Sequence, residues 1–415
     1  MGPDEFYPTD FIAMDDREFS VDFTKLRLQR KEKARKIMKD LGVEAMLLFQ
    51  EPNIRYVSRG TGRTVTERAT GFRYCFFDRN SEPILFEFGM LYMYAKQYNP
   101  DLDVRASISF LGMGPQEARE RQLEKFAEQI KSVLKEKGLE NVLVSLDVAE
   151  PRIINSLNKV GIRTSNDAVT VMDRARSVKS REEVELIRIG SAISEAGFSA
   201  AMNALRGPVS ESELRGVIVN EMYRRGMEIV ATAEVASGPR IGRSNISTTS
   251  NRLIRPKDMV IVNTCSSSFS GYRICYYRTF SPGPVTKEAI DAYEIAKDML
   301  YQAIRAVRPG VTTKEVVQKW QRAEEFGYPS EDTAFWLEWG HGIGLTIAEG
   351  PTFTHLWSNE YPETLKEGMT IALETWYPTN KGGYNGQSVR IEEMLRITDT
   401  GCEIISKWPI DEISH

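Results

Sequence analysis

The strongest constraint on the fold of this chain is a single change in the order of its element signals, near Asp173. Ahead of it, strand-like and helix-like stretches alternate. Asp22 to Leu41 carries Phe23, Leu26, Leu28, Ala34, Ile37 and Met38 at helical spacing on an otherwise basic segment, and Gly42 stops it. Short β-rich runs follow at Ala45–Phe49, Tyr74–Phe77 and Ile84–Phe88, then a charged helical pattern from Gln116 to Lys137 and a buried-strand pattern at Val142–Leu146. That alternation predicts an α/β domain over residues 1–172.

Beyond it the order is different. The stretch Met172–Ser180 is basic and poor in apolar residues, and it leads into helical patterns at Arg181–Leu205 and Glu211–Arg225. Strands are expected at Glu228–Ala236 and Met259–Thr264, with a hairpin return over Gly271–Phe280. Two helical patterns, Glu288–Val307 and Thr313–Phe326, precede strands around Thr370–Glu374 and Val389–Ile397. Helices in runs, apart from strands in runs, predict α+β packing for residues 173–415, with helices over a curved antiparallel sheet. At 415 residues the chain is too long for one ordinary core, so two unequal domains fit.

The charges narrow the partners. With a net charge of −4 and acids interleaved with bases, nothing resembles an electrostatic footprint for nucleic acid or an anionic membrane, and neither is expected as a partner. No stretch approaches the roughly 18 unbroken apolar residues of a membrane span. The four cysteines, Cys75, Cys265, Cys275 and Cys402, form no CxxC pair, and no apolar amino-terminal run reads as a secretory signal. A reducing cytoplasm is the expected location.

Four short patterns then fall in order through the second half. They are Ala236-Ser237-Gly238-Pro239; Val260-Ile261-Val262-Asn263 through Gly271-Tyr272 to Arg278-Thr279-Phe280; Gly340-His341-Gly342-Ile343-Gly344-Leu345; and Ile371-Ala372-Leu373-Glu374 with Val389-Arg390-Ile391-Glu392. Together, from Arg174 to about Pro409, they resemble the family of creatinase, prolidase, aminopeptidase P and methionine aminopeptidase. Asn53-Ile54-Arg55-Tyr56 resembles the NxxY turn in the amino-terminal domain of its creatinase and prolidase branches. The resemblance implies a pita-bread carboxyl-terminal domain, a smaller creatinase/prolidase-type domain before it, and a homodimer.

The family's metallopeptidases hold two divalent ions with two aspartates, one histidine and two glutamates, which polarise a carbonyl and supply a bridging hydroxide. The histidine matches His341 and the glutamates match Glu374 and Glu392, but the aspartates fall on Asn263 and Cys275. An amide is a poor ligand for a hard dication, and a thiolate suits a softer one such as zinc. A proton-shuttling histidine of those enzymes falls on Asn245, and a second, just after the GHGIG run, on Ala348. Creatinase also has asparagine at the first aspartate position and works without metal. The expectation is therefore that no cofactor is required; if an ion binds, His341, Glu374, Glu392 and Cys275 would hold it.

Each candidate has a competing ordinary role. His341, between glycines that let backbone approach closely, is expected to transfer protons rather than fill a core. Glu374 follows an apolar run without alternation, so its carboxylate is expected to be buried and paired. Strand alternation sends one of Glu392 and Glu393 inward and the other to solvent, and the family resemblance implies that Glu392 is the inward one. Arg390 shares the face of Glu392, as its salt-bridge partner or as a clamp on a substrate carboxylate. Cys275 reads as a core residue, a soft-metal ligand or a nucleophile. Tyr272 and Tyr277 are candidate substrate contacts, Tyr277 standing where creatinase has a carboxylate. Arg240 and Arg243, with Arg55, Arg59 and Arg63 of the amino-terminal domain, could recognise a substrate carboxylate, and Asn245 joins them at the pocket lip. His355 is placed in a loop, His415 is terminal, and Trp336, Trp339, Trp357 and Trp376 either line a cavity or fill the core.

The leading expectation is a creatinase-like hydrolase cleaving a C–N bond of a small polar or zwitterionic substrate, probing an activated carbon with a base for water and an acid for the leaving amine. The alternatives are an Xaa-Pro-type metallopeptidase or dipeptidase with an altered site, a metal-dependent lyase of the dimethylsulfoniopropionate type, and a non-catalytic binding domain.

Overall fold

The computed structural model describes residues 21–58, 71–98, 101–110, 114–242, 248–334, 338–379 and 386–413. The chain forms two compact units, one running from Asp22 to Arg176 and the other from Ser177 onward.

The first unit is built on a mixed sheet of six strands, β1 (Ala45–Leu48), β2 (Tyr74–Asp78), β3 (Ile84–Glu87), β4 (Asp103–Ala106), β5 (Val144–Leu146) and β6 (Thr164–Ser165), in the order β4-β3-β2-β1-β5-β6. β1 is antiparallel to β2 and parallel to β5, so both of its faces are buried and its side chains are uniformly apolar. The helix Phe23–Asp40 starts where the Asp22 side chain accepts the Lys25 N–H at 2.9 Å, and the amphipathic helix Gln116–Lys137 buries Phe126 and Ile130 in the sheet's core. Asn53-Ile54-Arg55-Tyr56, expected as a turn, lies inside the helix Glu51–Ser58. The cause is Asp147, just past β5: its carboxylate accepts the N–H groups of Phe49 and Gln50 at 2.8 and 3.1 Å and the Asn53 amide at 2.8 Å, fixing the chain at the helix start. The Met172–Ser180 stretch is also more ordered than its composition suggests, since the helix Asp167–Ser177 fills most of it.

In the second unit helices cover antiparallel sheets, as the order of elements requires. The helices Arg181–Ala204 and Glu211–Arg224 both open with a reciprocal serine–glutamate cap, Ser180 with Glu183 and Ser210 with Glu213. A three-stranded sheet has the order β11-β8-β7, from β7 (Glu234–Ser237), β8 (Val260–Asn263) and β11 (Tyr277–Phe280), with the β9 (Ser268–Phe269) and β10 (Tyr272–Arg273) hairpin between β8 and β11 in sequence. A five-stranded sheet has the order β13-β12-β14-β15-β16, from β12 (Gly340–Gly342), β13 (Glu349–Phe353), β14 (Thr370–Pro378), β15 (Ser388–Ile397) and β16 (Cys402–Ile404). The two meet where the Thr279 hydroxyl on β11 donates to the Arg390 carbonyl and accepts the Arg390 N–H on β15, each at 2.9 Å.

The helix expected over Thr313–Phe326 is interrupted: it stops at Val317 and resumes as a 3-10 turn at Ala323–Phe326. Between them Trp320 turns into the core and donates its indole N–H to Thr375 at 2.7 Å. Glu393, expected in solvent, is buried with 2 % of its side chain exposed, because Arg278 reaches it across the second face of β15 at 2.8 Å. His355 sits in a short helix, His355–Ser358, with Nε2 at 3.2 Å from the Trp320 carbonyl.

Candidate active site

The site is assembled by strand register. On β12, His341 faces Ala372 of β14, and Glu374 is two residues further along, so His341 and Glu374 lie on one face of the sheet. Glu374 is in turn the direct partner of Glu392 on β15. The side-chain donors of His341, Glu374 and Glu392 lie within 4.8 Å of one another. The glycines around the histidine are required by space, because a Cβ on Gly340 would stand 2.5 Å from the Ala372 carbonyl oxygen, and one on Gly342 would collide with that of Gly350. The loop after them is held by Glu349, which accepts from the buried Lys179 ammonium at 2.8 Å and from the Thr346 N–H at 3.2 Å.

His341 Nδ1 is 3.0 Å from the Gly342 carbonyl oxygen. A carbonyl offers only lone pairs, so Nδ1 carries the proton in the neutral ring and Nε2 is left as the base. Arg390 is committed to Glu374, not to Glu392: its Nε donates to Oε2 at 2.9 Å, its terminal nitrogen contacts the same oxygen, and its guanidinium lies 4.0 Å from the centre of the Tyr277 ring. Glu392 is fully buried, and its Oε1 has no hydrogen-bond partner among the described residues. Burial first, and the neighbouring Glu374 second, push its carboxyl well above the usual range.

His341, Glu374, Arg390 and Tyr277 line a cavity of about 500 Å³ that also contains Glu234, Asn263, Glu338 and Ala348, while the fully buried Glu392 is not among its lining residues. Glu338 went unnoticed in sequence; burial raises its carboxyl while His341 opposes the rise. Tyr277 and Cys275 both line the cavity. Tyr272 does not, because its hydroxyl is spent on the buried Glu183 at 2.6 Å. Arg240 is bound to the buried Glu211 and to Ser250, at 2.8 Å from the latter, which takes it out of the substrate-contacting set. Arg55 is buried on its helix in the first unit. Asn245, Arg59, Arg63, Arg243, Trp336 and His415 lie outside the described residues. Trp339 stacks on Trp320 with ring centres 5.8 Å apart and Trp376 packs on Phe326 at 5.1 Å, so both are core residues, while Trp357 is exposed.

The Cys275 sulfur is not a free ligand, since Cys265 and Cys275 form a disulfide. Cys265 was missed, although the period-two rule places it on the face of Asn263, two residues away.

The sequence profile of metallopeptidase family M24 matches residues 185–399, and that of the creatinase/prolidase N-terminal domain matches residues 30–194. The chain belongs to metallopeptidase family M24, and as a member of a peptidase family it is a hydrolase acting on C–N bonds. It is 27 % identical to the Xaa-Pro dipeptidase of Pyrococcus furiosus over 275 residues, 65 % of this chain and 75 % of that protein. It is 20 % identical to the dimethylsulfoniopropionate lyase DddP of Roseovarius nubinhibens, over 94 % of this chain and 87 % of the lyase. The X-Pro aminopeptidase of Thermotoga maritima superposes with a TM-score of 0.71 at 22 % identity, covering 92 % of this chain and 99 % of that one, a likeness of fold.

Membership of a metallopeptidase family does not support the expectation that no cofactor is required, so the donor set must be tested against a pair of ions. It does not fit one. The Asn263 amide oxygen is occupied by the Cys265 N–H at 2.7 Å, and the Cys275 sulfur is bonded to Cys265. Both chelating carboxylates are missing, and Arg390 already supplies a positive charge to Glu374. Among the described residues, no helix is long and apolar enough to cross a membrane.

Proposed function

We propose that the chain hydrolyses a C–N bond of a small polar or zwitterionic molecule in the manner of creatinase, using side chains where two-ion peptidases use metal. The observation that carries this reading is the buried trio of His341, Glu374 and Glu392 with the Asn263 and Cys275 donors both engaged elsewhere.

In this reading His341 Nε2 removes a proton from water as the oxygen adds to the carbon of the scissile bond. The C–N bond then breaks with its electron pair to nitrogen, which takes the proton back from His341. Glu392, whose carboxyl burial and the neighbouring Glu374 push above the ordinary range, stands directly opposite Glu374 on the next strand and supports it from the buried side. Glu338 and Glu234, which no other described side chain neutralises by a salt bridge, favour a substrate with a cationic end. Two copies of the chain working as a homodimer are part of the same reading, checked by sedimentation.

The test is a screen of guanidino acids, small amides and Xaa-Pro dipeptides, each with chelator or with added divalent ions, on protein whose disulfide is intact. Turnover of a non-peptide substrate, unchanged by chelator, is the expected result. Activity confined to dipeptides and abolished by chelation would instead establish the altered dipeptidase, the reading favoured by the likeness to the Pyrococcus furiosus protein.

A further inference from the structure

Two groups of potential ligands meet beside this cavity, and they share one residue, the fully buried Glu392. His341, Glu374 and Glu392 form the first; Cys265, Cys275 and Glu392 form the second, again with donors within 4.8 Å of one another. Cys265 Sγ is 3.7 Å from Glu392 Oε2. All three members of the second group are buried, and the other Glu392 oxygen is unpartnered. A buried carboxyl oxygen with no partner is costly, and a cation that takes the place of the carboxyl proton would satisfy it.

We infer that Cys265, Cys275 and Glu392 form a redox-gated site for a single thiophilic divalent ion, of which zinc is the model, with its fourth position open to the cavity. Two thiolates and a carboxylate suit zinc far better than a hard dication, and three protein ligands with one open position is an arrangement zinc accepts. The disulfide closes the site. A dithiol supplies two electrons and two protons to the S–S bond and is itself oxidised to a disulfide; a phosphine supplies the two electrons and becomes the phosphine oxide, water providing its oxygen and the two thiol protons. Binding then displaces one proton from each thiol to solvent as its sulfur joins the ion. The oxidised chain leaves Glu392 beside Glu374; the reduced chain hands it to the ion. The site stands whichever substrate the cavity takes, since it is read by binding and not by turnover.

The experiment compares the full-length protein before and after phosphine reduction and desalting. Thiol titration in denaturant should find Cys75 and Cys402 alone in the first sample and all four cysteines in the second. Zinc should be retained by the reduced sample alone, in a single equivalent, and Co2+ added in its place should give the near-ultraviolet absorption of thiolate ligation. Cys265→Ser should abolish that absorption. Glu392→Gln should weaken zinc by more than the roughly 10–100-fold that loss of a supporting hydrogen bond costs, and Glu374→Gln should leave thiolate absorption in place. Equal zinc in oxidised and reduced protein, retention by a Cys265→Ser/Cys275→Ser double variant, or cobalt bound without thiolate absorption would overturn the inference. The cobalt spectrum of the unsubstituted chain decides the matter even where a variant misfolds.

Discussion

Arg390 and Glu374 form a fork-to-carboxylate pair on neighbouring strands, with Nε to Oε2 at 2.9 Å, and only 15 % and 9 % of the two side chains is exposed. Removing the cation strands a buried carboxylate beside Glu392, so Arg390→Ala should destabilise the fold by about 3–5 kcal/mol. Replacing both partners by methionine should cost distinctly less than that single change. Chemical denaturation of the two variants makes the comparison; equal losses would mean the pair does not act as a unit.

His341→Gln keeps the volume and a polar tip but removes the basic Nε2. Turnover should fall by about 10²–10⁴-fold, with binding of a non-reacting substrate analogue nearly unchanged. Single-turnover kinetics beside calorimetric binding separates the two effects, and an unaltered rate would remove His341 from proton transfer.

Glu392 sets a pH dependence of stability whose sign follows from its raised pKa. Above the ordinary carboxylate range the unfolded chain has released this proton while the folded chain still holds it. Stability therefore falls as pH rises through that interval, until the folded pKa is passed, by no more than about 1.4 kcal/mol per pH unit. Glu392→Gln should flatten this part of the profile and gain relative stability toward higher pH. Melting temperatures from pH 4 upward measure the slope, and an identical slope in the variant would rule out Glu392 as its source.

Gly340→Ala pushes a methyl group against the backbone oxygen of Ala372, which cannot move without breaking the β12–β14 ladder. A loss of about 1–3 kcal/mol is expected. Gly216, inside the helix Glu211–Arg224 with nothing near its added Cβ, makes the matched control: Gly216→Ala should stabilise by roughly 0.5–1 kcal/mol. Paired melting curves read both signs.

Much of the architecture follows from local patterning. The helix Gln116–Lys137 is bounded as its periodicity indicates, with Gly138 in the left-handed conformation closing it, and the helix Arg181–Ala204 carries its capping box in plain sequence. The glycine-flanked His341 and the Glu374–Glu392 pair were legible through the family motifs they resemble, and the strand register of the structure places their side chains together. What escaped was decided by contacts distant in sequence. Glu393 obeys the alternation, yet Arg278 from 115 residues away meets it on the face assigned to water. Arg240 looked free in a glycine-rich loop and is claimed by Glu211 from a helix start. The short runs Pro151–Lys159 and Gly89–Tyr98 are too brief for periodicity to separate helix from loop.

Glu374 and Glu392 stand opposite each other because main-chain hydrogen bonds hold β14 and β15 in that register. Their separation is therefore a property of the pleat, present before anything enters the cavity. Such a frame works like a pegboard: the sheet supplies the holes, and asparagine, cysteine or aspartate can be hung from neighbouring ones without redrawing the board. A change of chemistry on this scaffold requires new side chains and no new fold, so introducing aspartates at positions 263 and 275 asks only whether the pegs, once exchanged, hold a pair of ions.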